Sequence, residues 1–221
     1  MKKKSNAQLS IFNTFKTKDE ELTGEANRQR LIIAILASNA NPAERTRTGL
    51  SQKIAKRHGI AWKNIYSGIF RDLDEILIPI GIVEEQGRLP LQRGPKALQE
   101  KGIPFYHLTK KGVLIALSIS EPDNRENLLA KFFAQAESEE KEYEKMISIL
   151  QKMSPSFTHS IFQKYVKAFC DNKIELLPLD LSKLKDASDK SLIIQKEILE
   201  SFLRLSSQEK QDITNFLTKI A

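Results

Sequence analysis

The chain has 221 residues, of which 40% are hydrophobic and 29% charged, with a net charge of +7. That composition describes a globular protein with enough apolar material for a sizeable core, and it excludes a disordered or fibrous chain. The longest apolar runs, 31–37 and 113–119, are too short to cross a bilayer, and the single cysteine, Cys170, excludes an internal disulfide. No secretory leader is expected behind Met1-Lys2-Lys3-Lys4, so the expected location is the cytoplasm, away from membranes.

The distribution of charge is more informative than its total. Residues 1–119 hold 20 Lys+Arg against 11 Asp+Glu, whereas residues 120–221 hold 15 against 17. A positive excess confined to one half points to a polyanionic partner for that half.

Taken in order, residues 1–22 read as a flexible basic tail around a short apolar island, Gln8 to Phe15. Gln8, Ile11 and Phe15 resemble the short peptide that docks on a replication sliding clamp, although Thr14 stands where an aromatic is usual. The alternative is a tail that packs on its own domain. A helix is predicted over 25–38, with Leu31, Ile32, Ile35 and Leu36 as its core face, ended by Asn41-Pro42. Arg45 and Arg47 follow in a polar loop, where they could meet backbone phosphate.

Two helices joined by a tight turn come next. The first is expected over 49–57, capped by Thr48 and ended at His58-Gly59. The second is expected over 61–77. At 100° per residue, Trp62, Ile65, Tyr66, Ile69, Leu73 and Ile76 share one face, and Lys63, Asn64, Ser67 and Arg71 share the opposite one. An apolar stripe backed by small polar and basic residues suits a helix that reads the major groove. It also suits an ordinary surface helix.

Pro79 and Gly81 end this segment. Strand character follows over 82–86, then a long basic connection over 87–104 carrying Arg88, Arg93 and Lys96, then a returning strand over 105–108. Such a hairpin could lie along a phosphate backbone. Thr109 is placed to cap a further helix over 110–118.

The run Phe105-Tyr106-His107-Leu108-Thr109-Lys110-Lys111-Gly112 resembles the strand-into-helix junction of winged-helix transcription regulators. Ile65-Tyr66, Arg71-Asp72-Leu73 and Gly81-Ile82-Val83-Glu84 resemble their recognition helix and first wing strand. The likeness covers about 25–119 and is closest to PadR-like and related archaeal or bacterial families, with a wing longer than theirs. It implies a mainly α fold: a winged helix of three helices and a β-hairpin over 23–119, followed by an all-helical region over 120–221. It also implies binding to double-stranded DNA, usually as a homodimer, in a transcriptional regulator. The site residues so assigned are Lys63, Asn64, Ser67 and Arg71 in the groove, with Arg45, Arg47, Arg88, Arg93 and Lys96 on the backbone. The other readings are a replication or repair accessory protein tethered to the clamp through Gln8, Ile11 and Phe15, and a winged helix used only for protein contacts.

In the second half, one long helix is predicted over 125–153. Leu129, Phe132, Ala136, Tyr143, Met146, Leu150 and Met153 step along it at heptad-like spacing, either as a dimer seam or as a face packed on its own domain. Further helices are expected over 157–171, 192–205 and 209–220, the last capped by Ser206 or Ser207. No metal, cofactor or catalysis is expected. His58, His107 and His159 lack ligand spacing, no phosphate loop is present, and Asp72/Asp74/Glu75 and Glu137/Glu139/Glu140 read as solvated helix faces.

Overall fold

The computed structural model describes residues 7–16, 21–59, 61–91, 96–119, 124–184 and 190–220, without the side chains of 96–98, 191–192 and 216–220. Among these residues the protein is mainly helical, with ten α-helices and one two-stranded antiparallel sheet. It divides into two units, Met1–Leu181 and Ser182–Ala221.

The first unit is built around α1 (Gly24–Ser38), which packs on α2 (Arg47–His58), α3 (Lys63–Arg71), the sheet and α5 (Lys110–Leu117). The sequence suggests one apolar face for α1. The structure buries Leu31 to Ala37 without a break, because partners lie on several sides of the helix. Thr23 caps it by accepting from the Ala26 amide at 3.2 Å.

α2 is capped by Thr46, two residues before the expected Thr48. Its hydroxyl accepts from the Gly49 amide at 3.0 Å and donates to the Ala43 carbonyl at 2.9 Å, tying the short 3-10 turn Pro42–Arg45 to the helix start. Gly59 ends α2 at φ 64°, a left-handed backbone that glycine adopts without steric cost.

The predicted 61–77 helix changes character half way. α3 gives way to a π-helical segment, Asp72–Leu77. A π turn takes up an extra residue, so the core face shifts by one position: Leu77 is fully buried, and Ile76 is only half-buried. Strand β1 (Val83–Leu89) pairs with β2 (Ile103–Leu108), with Val83 opposite Leu108 and an irregularity between Glu85 and Gly87. The connection between them carries a short helix, α4 (Lys96–Lys101), that periodicity did not suggest.

The single helix expected over 125–153 is two, α6 (Arg125–Ala134) and α7 (Ser138–Met153). Glu137 and Glu140 form a capping box that starts α7 anew, with the Glu137 amide donating to Glu140 at 2.9 Å. The heptad-like seam is therefore divided. Leu129 and Phe132 are buried, Met146 and Met153 are exposed, and Ile147 carries the inward face of α7. α8 (Pro155–Cys170) closes this unit against α5 and α7. The second unit holds α9 (Lys190–Arg204) and α10 (Ser207–Ile220). Ser206 caps α10, its hydroxyl accepting from the Glu209 amide at 3.3 Å.

Two expectations are corrected at the chain start and in the acidic clusters. Residues 7–16 are not a loose tail but pack on their own domain, the second of the two readings: Leu9 and Ile11 lie in the core, and the Ser10 amide donates to buried Gln29 at 2.9 Å. The Gln8 amide donates to the Cys170 carbonyl at 2.8 Å. Nor are Asp72 and Glu140 solvated, since both are fully buried and ion-paired, Asp72 with Arg28 and Glu140 with Lys110. No helix among the described residues is long and apolar enough to cross a membrane.

Candidate nucleic-acid interface

α3 is held from below by Ile69, and the π segment that continues it by Leu73 and Leu77, which fixes the opposite face outward. Lys63, Asn64, Ser67 and Arg71 are all exposed there. Trp62 and Tyr66 pack edge to face at 5.8 Å along its flank. No described side chain engages Lys63, Asn64 or Ser67 in a hydrogen bond or ion pair, and no side chain caps the α3 N-terminus. The first amides of the helix are taken up locally, Asn64 donating to the Ala61 carbonyl at 3.0 Å and Ile65 to the Trp62 carbonyl at 3.2 Å, so it is the three polar side chains that offer hydrogen-bonding groups to an anion or a base edge.

Arg71 differs from its neighbours, because its guanidinium lies 3.5 Å from Glu25 of α1. A brace runs close by. Arg28 grips Asp72, one of its two bonds measuring 3.1 Å. Burial raises the Asp72 pKa, and the hydrogen bonds and charge of Arg28 oppose that rise without reversing it.

Arg47 joins α2, α3 and β2. It bonds Asp74 at 2.5 Å and lies over the rings of Phe70 at 5.0 Å and Tyr106 at 5.4 Å. Tyr106 is buried in β2, and its hydroxyl pKa is pushed up to about 12 by burial first, with Asp74 and Glu85 adding to the rise. Arg47 thus links the outer face of α3 to the sheet. Its partners are internal, which makes it a brace rather than a free phosphate clamp.

Arg45 is similarly engaged. It donates to Gln86 of β1 at 2.7 Å and sits 5.3 Å over the Phe105 ring of β2. Arg88 on β1 forms two bonds to Glu85 at 2.6 and 3.1 Å and one to the Lys101 carbonyl at 3.1 Å. Arg93 and the side chain of Lys96 lie outside the described residues. The structure therefore gathers Arg45, Arg47 and Arg88 around the sheet as partnered cations and, among the described residues, leaves Lys63, Asn64 and Ser67 unpartnered on α3.

Sequence reading missed Phe70. It lies on the outer face, seven positions after Lys63 and three after Ser67, and is 47% exposed. The 100° spacing does place it there, but its apolar type directs attention to the core. Lys56, Arg57 and His58 at the exposed end of α2 were passed over as well, although the run of three basic residues is visible in the sequence.

The proposed clamp peptide is not displayed. Ile11 is sealed in the core, and Gln8, though exposed, donates its side-chain amide to the Cys170 carbonyl, which leaves Phe15 exposed without the apolar anchor beside it. No protein-family model matches the chain, and comparisons with the curated proteins and with the solved structures find no match either.

Proposed function

We propose that the protein is a winged-helix DNA-binding regulator, with α3 as the recognition helix and the β1–β2 hairpin as the wing, acting as a homodimer on duplex DNA in the cytoplasm. The observation that carries this reading is the outer face of α3. Lys63, Asn64 and Ser67 stand exposed and, among the described residues, unpartnered, on a helix anchored on its other side by Ile69 and continued by a π segment anchored by Leu73 and Leu77. Asn64 suits the paired donor and acceptor of an adenine edge, Lys63 a guanine edge or phosphate, and Phe70 the methyl group of thymine. The element order, two helices and then hairpin and helix after α1, is that of a winged helix. The role is one of binding rather than catalysis.

The test is selection of bound sequences from a random duplex pool with the full chain. A defined sequence should be enriched, and Asn64→Ala should lose about 1–3 kcal/mol on it while relaxing one position. Absence of duplex binding at low salt, or an unchanged preference in the Lys63→Ala/Asn64→Ala double variant, overturns the reading.

A further inference from the structure

The core does not absorb the whole apolar stripe expected over 61–77. Ile69, Leu73 and Leu77 are fully buried, but Trp62 and Tyr66, two turns and one turn before Ile69, are only half-buried. Trp62 is the chain's single tryptophan. Its ring meets that of Tyr66 edge to face, with the centroids 5.8 Å apart and the planes at 79°. Such a pair engages one face of one ring only, which leaves π surface for a further planar group.

Cations adjoin the pair. The stretch from Arg45 to Arg71 holds seven Lys and Arg and no Asp or Glu. The carboxylates that border it are committed elsewhere, Glu44 to Lys53, Asp72 to Arg28 and Asp74 to Arg47. Lys56 and Arg57, in the last turn of α2, are exposed and have no ion-pair partner among the described residues. Trp62 follows Arg57 by five positions, a span of at most about 18 Å, and the left-handed Gly59 turns the chain between them. A helix dipole favours cations at its C-terminal end, which accounts for the charge of that turn but not for the aromatic surface left open beside it.

We propose that the junction of α2 and α3 binds an unpaired strand of nucleic acid, its phosphates at Lys56 and Arg57 and a base stacked on Trp62 and Tyr66. Bases inside a duplex are stacked on one another and present only their edges, so an aromatic platform favours the single strand. Every base has a π face, so the site tolerates any sequence. DNA and RNA strands share this chemistry. The inference is independent of duplex recognition, which rests on Lys63, Asn64 and Ser67.

The test is titration of the full-length protein with oligothymidylate and oligouridylate of about ten nucleotides, read by the emission of Trp62, the sole indole. Neither strand pairs with itself, so no duplex is present and a failure of duplex recognition stays distinguishable from a failure here. An abasic strand of the same length carries the phosphates without the bases. Saturable quenching by at least one of the two oligonucleotides is expected, with weaker binding and no quenching for the abasic strand. The tighter of the two names the sugar recognised. Tyr66→Leu, which keeps an apolar side chain but removes the ring, should weaken binding about fivefold or more, with thermal melting used to confirm that it folds. The Lys56→Gln/Arg57→Gln double variant, at exposed positions, should flatten the logarithmic salt slope by about 1.4 units, about 0.7 for each phosphate contact on a single strand. Absence of quenching by both oligonucleotides, equal affinity for the abasic strand, parental affinity in folded Tyr66→Leu, or a parental salt slope in the double variant overturns the proposal.

Discussion

Arg47 shows how one side chain holds a surface in place without being its contact. Its ion pair with Asp74 is only part-buried, with the Arg47 side chain 26% exposed, so solvent screens part of the attraction. The two rings beneath it add cation–π attraction of about 0.5–1 kcal/mol each. Arg47→Ala should therefore lower stability by about 1–2 kcal/mol, read as a shift in denaturant midpoint, whereas Lys63→Ala should stay within about 0.5 kcal/mol. Equal stability of both variants would remove Arg47 from its bracing role. Glu140 is the deeper case. Burial works to raise its pKa, but the Leu179 amide at 2.8 Å, Lys110 and the Glu137 amide outweigh burial and hold it below its ordinary 4.5. A carboxyl with a lowered folded pKa binds fewer protons folded than unfolded. Its contribution is complete above the unfolded value and is lost as pH falls through the folded one. Thermal melts should therefore fall steeply below about pH 4.5 in the parent. In Glu140→Gln that acid limb should be shallower, and the variant should be about 3–5 kcal/mol less stable at neutral pH because Lys110 loses its buried partner.

At the scale of elements, the turn from hairpin into α5 gives physical content to the Leu108-Thr109-Lys110-Lys111-Gly112 run. Thr109 accepts from the Gly112 amide at 3.2 Å and donates its hydroxyl to the Gly81 carbonyl at 2.6 Å, which clips the helix start to the strand entry. A Cβ on Gly112 would lie 2.2 Å from the Ile82 carbonyl oxygen, an impossible approach between backbone and side chain. Helix propensity alone would have Gly112→Ala stabilise α5 by about 1 kcal/mol. The contact reverses the sign, and a loss of about 1–3 kcal/mol in chemical unfolding is expected. A gain would mean that the strand entry moves freely. The same contrast explains what the sequence made legible. Gly59, Thr109 and the alternating Ile69 and Leu73 act through local chemistry, so the end of α2, the start of α5 and the buried side of α3 could be read directly. The shift from Ile76 to Leu77, the choice of Thr46 over Thr48, and the break at Glu137 depend on contacts from other parts of the fold. Thr46 wins because its hydroxyl reaches Ala43 as well as Gly49, and Glu137 starts a helix because Glu140 is drawn inward by Lys110 and Leu179. The outward polar face of α3 was legible, while the internal engagement of Arg45 and Arg47 was not, because their partners on β1, β2 and the π segment are distant in sequence.

For the molecule as a whole, the positive excess of residues 1–119 overstates how many cations are ready for a polyanion. Arg28, Arg47, Lys53, Arg71 and Arg88 each face a carboxylate, and Arg45 is held by Gln86 and Phe105. Paired cations still contribute to the long-range field that steers encounter, but each must surrender its carboxylate before it displaces a counterion from DNA. Lys63 has no such debt among the described residues, so under the proposed DNA-binding function it should account for a whole phosphate or base contact. A duplex-binding titration across salt concentrations separates the two groups. Lys63→Ala should flatten the logarithmic salt slope by about one unit, and Arg93→Ala should do the same if the hairpin connection meets backbone phosphate. Arg47→Ala should lower stability while leaving the slope near the parental value, provided binding is measured well below its melting temperature. A slope that falls equally for Arg47→Ala and Lys63→Ala would show that the Asp74 pair opens on DNA, and would move Arg47 from the brace to the contact surface.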